Sequence, residues 1–259
     1  MADFGLIETI KVINGRLVFK NLHINRLYNA MQTINVPVTE YALEDRILRL
    51  LKYECIENGL KNFRLRIEVQ KNRAHEYMPD ISPLKWNCTI KPLESIKYKW
   101  NMNGLRLTIF FKHKKTIDAF CNLKHTDRTI YDEALYFARE NDCSEALILN
   151  ENNTIADASI YNVFIVKDGK IYTPPLTDAP IDGVLRKLLL TRLPTIKIEE
   201  KSIRPEDVYT ADEIFLTNAI RGIRWVEYID DKFLDNQITR QVFDAFTAIV
   251  SEHFGEHLV

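Results

Sequence analysis

The chain has 259 residues, 46% of them hydrophobic, and 35 basic side chains balance 36 acidic ones. That balance gives no reason to expect a nucleic-acid or membrane-surface partner, and the length is ample for a sizeable core. Cys55, Cys88, Cys121 and Cys143 are scattered, with no CxxC pair, no secretion leader and no apolar run that could span a bilayer, so reduced thiols in a soluble cytoplasmic protein are expected, with no metal site.

Residues 6–13 (LIETIKVI) and 16–19 (RLVF) are two β-prone runs joined by Asn14-Gly15, a strong hairpin signal. A helix over 23–34 follows, with Ile24, Leu27, Tyr28, Met31 and Ile34 on one stripe and Arg26 off it. A second helix is predicted from Thr39 to Asn58, turning Leu43, Ile47, Leu50, Leu51 and Cys55 inward, with Gly59 as its stop. Strands at 63–69, 86–93 and 104–111 complete an α+β domain over residues 1–112. The basic segment 113–118 reads as a linker, where His113, Lys114 and Lys115 could attract an anionic substrate.

A second α+β domain is expected over 119–259, the two domains meeting at one cleft. Its strands are EALILN, TIADAS, NVFIV and KIYT, with Asp168-Gly169 as a turn, and EIFLT further on. Helices are predicted at 183–192, after Pro205 and at 236–254. Lys124 lies before a helix expected to start at Thr126 or Asp127, whose side-chain oxygens suit an N-cap. Partial burial and a helix N-terminus would both favour its neutral, nucleophilic amine.

NLKHTDR around Lys124, EALILN at 145–150, IADASIYNVFIVKDGKIYTPP at 155–175, DGVLRK at 182–187 and EIFLTNA at 213–219, with LIETIKVINGRL and HINRLYNA near the start, resemble the class IV aminotransferases in family order. These are fold-type-IV pyridoxal 5'-phosphate enzymes, among them branched-chain and D-amino-acid aminotransferases and aminodeoxychorismate lyase. The resemblance implies a two-domain α+β fold, a homodimer and a small amino-acid-like substrate. It also implies that Lys124 binds the cofactor and moves the proton at the substrate's α-carbon.

By the same resemblance Asp157, where the family usually has Glu, faces the pyridine nitrogen, and Arg26 clamps the phosphate. Gly183 with the amides of Val184 and Leu185, and Asn218 with Ala219, form the rest of the phosphate cradle. Thr9, beside Glu8, aligns with a threonine near the substrate, whereas Asn162 is read as structural and Arg186 as a support of the phosphate loop or a solvent-facing side chain. Leu185 in place of a threonine, and TNA in place of Gly-Thr, lean towards an aminodeoxychorismate lyase. Branched-chain or other amino-acid transamination is the alternative, and a cofactor-binding module without catalysis is a third reading. Family members carry a longer lead before the Glu-Thr block, so an uncovered edge is expected here, with either a more open substrate pocket or a rebuilt dimer contact.

Overall fold

The computed structural model describes residues 4–71, 84–193 and 195–255, apart from the side chains of residues 55–57, so Cys55 lies outside the described side chains. Cys88, Cys121 and Cys143 are free thiols. The chain divides into two compact units, Met1–Ile96 with Leu123–Asp127, and Lys97–Asn122 with Arg128–Val259.

The first unit carries an antiparallel sheet in the order β2-β1-β3-β4. β1 (Gly5–Ile13) turns through Asn14 and Gly15, at φ 50° and 71°, into the two-residue β2 (Arg16–Leu17). That left-handed geometry is what makes Asn-Gly the favoured pair. β3 (Phe63–Lys71) pairs along nearly the whole of β1, and β4 (Leu84–Pro92) pairs along β3. Alternation then decides the faces: Leu6, Ile10, Val12, Leu65 and Ile67 pack with Ile24, Leu27 and Met31 of α1 (Lys20–Thr33) and Leu43, Ile47 and Leu51 of α2 (Glu40–Glu57). α1 starts ahead of its apolar stripe because Phe19, at φ 56°, turns the chain and accepts from the amides of Leu22 and His23. Thr39 Oγ1 caps α2 by accepting from Ala42 N at 3.2 Å.

Because β2 meets β1 only at Val12 and Ile13, the Gly5–Ile7 end of that edge is available to another segment. Residues 124–126 take it. Ile7 N donates to Lys124 O at 2.7 Å and Thr126 N to Gly5 O at 2.8 Å, while Thr126 Oγ1 accepts from Gly5 N at 3.0 Å. This corrects the expected helix start: Thr126 is engaged with β1, so α3 runs Thr129–Glu140 and begins at Arg128 without a side-chain cap.

The second unit is built on a nine-stranded mixed sheet in the order β10-β9-β8-β11-β12-β5-β6-β7, with β13 beside β12. Its strands are β5 (Leu105–Lys115), β6 (Glu145–Asn150), β7 (Ile155–Ala158), β8 (Asn162–Lys167), β9 (Lys170–Thr173), β10 (Ile198–Glu200), β11 (Glu213–Asn218), β12 (Gly222–Ile229) and β13 (Lys232–Phe233). His113, Lys114 and Lys115, expected in a linker, continue β5, and Lys115 pairs with Asn150 of β6. One core gathers Leu107, Leu147, Val163, Ile214 and Val226; a second gathers Phe110, Ala146 and Ile148 against Tyr131, Ala134 and Ala138 of α3. α4 (Val184–Arg192), α5 (Pro205–Thr210) and α6 (Gln237–Phe254) complete the unit, and no described helix is long and apolar enough to cross a membrane.

Ile67 is fully buried where β1, β3 and both helices of the first unit meet. Ile67→Ala should lower urea-unfolding stability by about 2–5 kcal/mol, whereas Tyr41→Ala at an exposed helix position should change it by less than about 0.5 kcal/mol.

Candidate active site

Glu8 faces α1 from β1 and is 1% exposed. Arg26 grips it with Nε at 2.6 Å and Nη2 at 2.7 Å, and His23 Nδ1 lies 2.7 Å from its Oε2. Burial alone would raise the Glu8 carboxyl, but the Arg26 charge and the hydrogen bonds from Arg26 and His23 override it and hold it down at about 2. An ionised carboxylate only accepts, so His23 Nδ1 carries the proton and Nε2 presents a buried lone pair with no described partner. Burial keeps His23 below its ordinary value, helped by the charges of Arg26 and Lys124 against the opposing pull of Glu8.

The same unit therefore places Lys124 close enough to His23 for its charge to be felt, with its backbone fixed on β1 and its side chain partly exposed. The helix N-terminus expected beside Lys124 does not begin at Thr126 or Asp127; α3 starts at Thr129. Thr9 points to the opposite face of β1 from Glu8 and stands across from Arg66 of β3, away from the Glu8–Arg26 pair. Arg26, placed by the resemblance on a phosphate, commits two of its five N–H groups to Glu8.

In the second unit Asp157 stands opposite Ile148, on the sheet face that α3 covers, and is 1% exposed. Its Oδ2 accepts from Lys115 Nζ at 3.1 Å, Tyr131 Oη at 3.0 Å and Ile181 N at 3.0 Å; Oδ1 accepts from Asn162 Nδ2 at 3.0 Å. Burial, with the Asp157 charge behind it, pushes the Tyr131 phenol well above its usual range, so it donates as a neutral hydroxyl. Three of these partners escaped the sequence reading. The sequence offers Lys115 as a lure for an anionic substrate and Asn162 as a structural residue, and it gives no signal that singles out Tyr131. Lys115 is thus no lure for an anionic substrate, and His113 pairs instead with Glu133 at 2.6 Å.

Asn162 also donates to Ile181 O at 2.8 Å, and its Oδ1 lies 1.7 Å from where a Cβ on Gly183 would stand. Only glycine fits there. Gly183 opens α4 without a side-chain cap, leaving the first-turn amides of Val184 and Leu185 available to an anion. Thr217, across from Asn162 on β11, is buried with an Oγ1 that has no described partner. Beyond it, Asn218 Oδ1 accepts from Ile220 N at 3.1 Å and Arg221 N at 2.8 Å, and Ala219 O accepts from Tyr98 Oη at 2.8 Å. Arg186 faces inward, donating to Pro174 O at 2.7 Å and to Glu200, which corrects a solvent-facing reading.

The profile of the amino-transferase class IV family matches residues 5–229. The chain belongs to that family. It is a pyridoxal-phosphate-dependent enzyme of the aminotransferase and lyase kind, with the fold-type-IV architecture. It is 27% identical to an aminodeoxychorismate lyase of Bacillus subtilis over 85% of this chain and 75% of that one. It is 24% identical to a D-alanine aminotransferase of Listeria monocytogenes over 97% and 89%. The crystal structure of a branched-chain aminotransferase from Thermoproteus uzoniensis superposes with a TM-score of 0.81 at 23% identity, covering 98% of this chain and 88% of that one.

The residues present fit the cofactor's phosphate: an uncapped helix start and an orphaned buried hydroxyl are what a buried phosphate requires. The Asp157 oxygens are already met by four donors.

The Glu8 carboxyl, near 2 in the fold against 4.5 unfolded, contributes stability above about pH 4.5 that is lost as pH falls towards 2. Acid unfolding followed by fluorescence should show a loss on the order of 3 kcal/mol across that window, absent in Glu8→Gln. Glu145 works with the opposite sign. Burial raises it to about 7, so its share of stability is full below 4.5 and lost as pH rises through 7; Glu145→Gln should flatten that slope.

Proposed function

We propose that the chain is a 4-amino-4-deoxychorismate lyase, releasing pyruvate and leaving 4-aminobenzoate. The observation that carries the reading is the loop after β11, where the Asn218 side chain itself satisfies the amides of Ile220 and Arg221. The Gly-Thr pair that other family members carry there puts a glycine, without a side chain, where Asn218 does this, and the missing hydroxyl at Leu185 is a second difference. The B. subtilis lyase is among the relatives that span most of the chain.

Bound pyridoxal phosphate supplies an electron-withdrawing ring that acidifies the carbon bearing the substrate's amine. Lys124 would hold the cofactor and would take the proton from that carbon. Breaking the ether bond then expels enolpyruvate, which gains a proton at its methylene carbon to become pyruvate, and the six-membered ring becomes aromatic. Within the second unit the amides of Val184 and Leu185, the Thr217 hydroxyl and the Asn218–Ala219 loop would hold the phosphate and Asp157 would face the ring; the resemblance alone assigns Arg26 to the phosphate and Thr9 to the substrate. The active form is a cytoplasmic homodimer in this reading. Transamination of branched-chain or D-amino acids is the second reading, supported by relatives that carry those names.

With 4-amino-4-deoxychorismate as sole substrate, pyruvate and 4-aminobenzoate should appear in equal amounts without any 2-oxo acid. Lys124→Ala should lower the rate by at least about a hundredfold. Turnover that requires a 2-oxo acid acceptor would replace the lyase with the transaminase.

A further inference from the structure

Between β9 and α4 the chain runs from Pro174 to Gly183, and Ala179 in its middle is fully buried at φ 62°. A left-handed alanine crowds its Cβ against the following carbonyl, and Pro180 adds to the conflict because a residue before proline favours extended backbone. Such a conformation persists only where its surroundings fix it. Asparagine side chains do so here. Asn122 Nδ2 donates to Leu176 O at 2.9 Å and to Pro180 O at 2.6 Å, so one carboxamide bridges the turn on either side of Ala179. Asn122 O accepts from Asp182 N at 3.0 Å, and Asn150 Nδ2 donates to Asp178 O at 2.8 Å. Past the turn, Ile181 N donates to Asp157 and Ile181 O accepts from Asn162, which delivers the chain to Gly183 and the first amides of α4.

We propose that Asn122 is a positioning residue of the cofactor cradle: by bridging Leu176 and Pro180 it holds Ala179 left-handed, and so holds the start of α4 where its amides receive the phosphate. The proposal rests on the reading that puts the phosphate of pyridoxal phosphate at Val184 and Leu185. Asn122 acts through the loop. Spanning from Leu176 O to Pro180 O takes two donors on one short planar group, which an asparagine has, whereas an ionised aspartate only accepts and a serine donates once. Without the bridge Ala179 relaxes towards an extended conformation, which shifts Ile181 and Asp182 and with them the first turn of α4. The Asn150 bond to Asp178 O lies ahead of Ala179, so it secures the first half of the loop and leaves the second half to Asn122. Glycine at 179 would remove the drive for this relaxation, because it occupies the left-handed region at no steric cost.

The test is a fluorescence titration of the full-length protein, stripped of cofactor, with pyridoxal phosphate, a readout independent of turnover. Asn122→Ala should raise the dissociation constant roughly tenfold, the scale set by the penalty of a left-handed alanine. Ala179→Gly alone should bind within about twofold of wild type, and the double variant Asn122→Ala with Ala179→Gly should recover most of the lost affinity. Circular dichroism confirms that each variant is folded, and Asn122→Asp, of the same shape without the donors, serves as the second variant. Unchanged affinity in both folded Asn122 variants overturns the proposal. A loss that Ala179→Gly fails to recover also overturns it, since Asn122 would then act by packing alone. A wild type that takes up no pyridoxal phosphate would overturn the cradle reading along with the proposal, which distinguishes the two failures.

Discussion

Three hydrogen bonds between residues 124–126 and the open end of β1 are the constraint on which the first unit's chemistry depends. A strand edge carries unpaired amides and carbonyls, and the two-residue β2 leaves the Gly5–Ile7 stretch unpaired until this segment fills it. The segment is held through the backbone of Lys124 and Thr126 and the Thr126 hydroxyl. Because β1 also carries Glu8 towards α1, the same strand sets the lysine and the Glu8–His23–Arg26 cluster in one frame. Gly5 is suited to this position, as a Cβ there would lie 2.6 Å from Gln70 and 3.1 Å from Thr126.

Each unit then buries a carboxylate and matches it within itself. Glu8 is met by a bidentate guanidinium and an imidazole N–H, and Asp157 by an ammonium, a phenol, an amide side chain and a backbone N–H. Removing one partner from such a pair costs several kcal/mol because the remaining charge is stranded in low dielectric. The two clusters nevertheless differ in what they leave over. Around Glu8 the residue is an imidazole lone pair beside Lys124; around Asp157 there is a carboxylate whose charge is already answered.

Elements with strong periodicity were legible in the sequence. The Asn14-Gly15 hairpin, the stripes of α1, α2 and α6, and the alternation of β3 all follow from one residue's preference or one repeat. The start of α3 was not, because a threonine that looks like a helix cap is claimed by a strand far away in sequence. Short β10 and β13 were missed since two or three residues carry no period, and β12 passed unread although it lies in the middle of the sheet. At the site, the order of motifs pointed to Lys124, Asp157 and Gly183. What it could not reveal is partnership: that Arg26 is already gripping Glu8, and that one lysine in the run Lys112, Lys114, Lys115 turns inward to Asp157 where β5 shifts register against β6.

Lys124, pinned to β1 through its backbone, is proposed as the cofactor anchor, whereas Lys115 is committed to Asp157. Borohydride reduction of the holoenzyme followed by peptide mass spectrometry distinguishes them directly. The pyridoxyl mass should appear on the peptide bearing Lys124 and nowhere else. A modified Lys115, or no modified lysine in protein that has taken up the cofactor, would contradict the assignment on which the proposed chemistry stands.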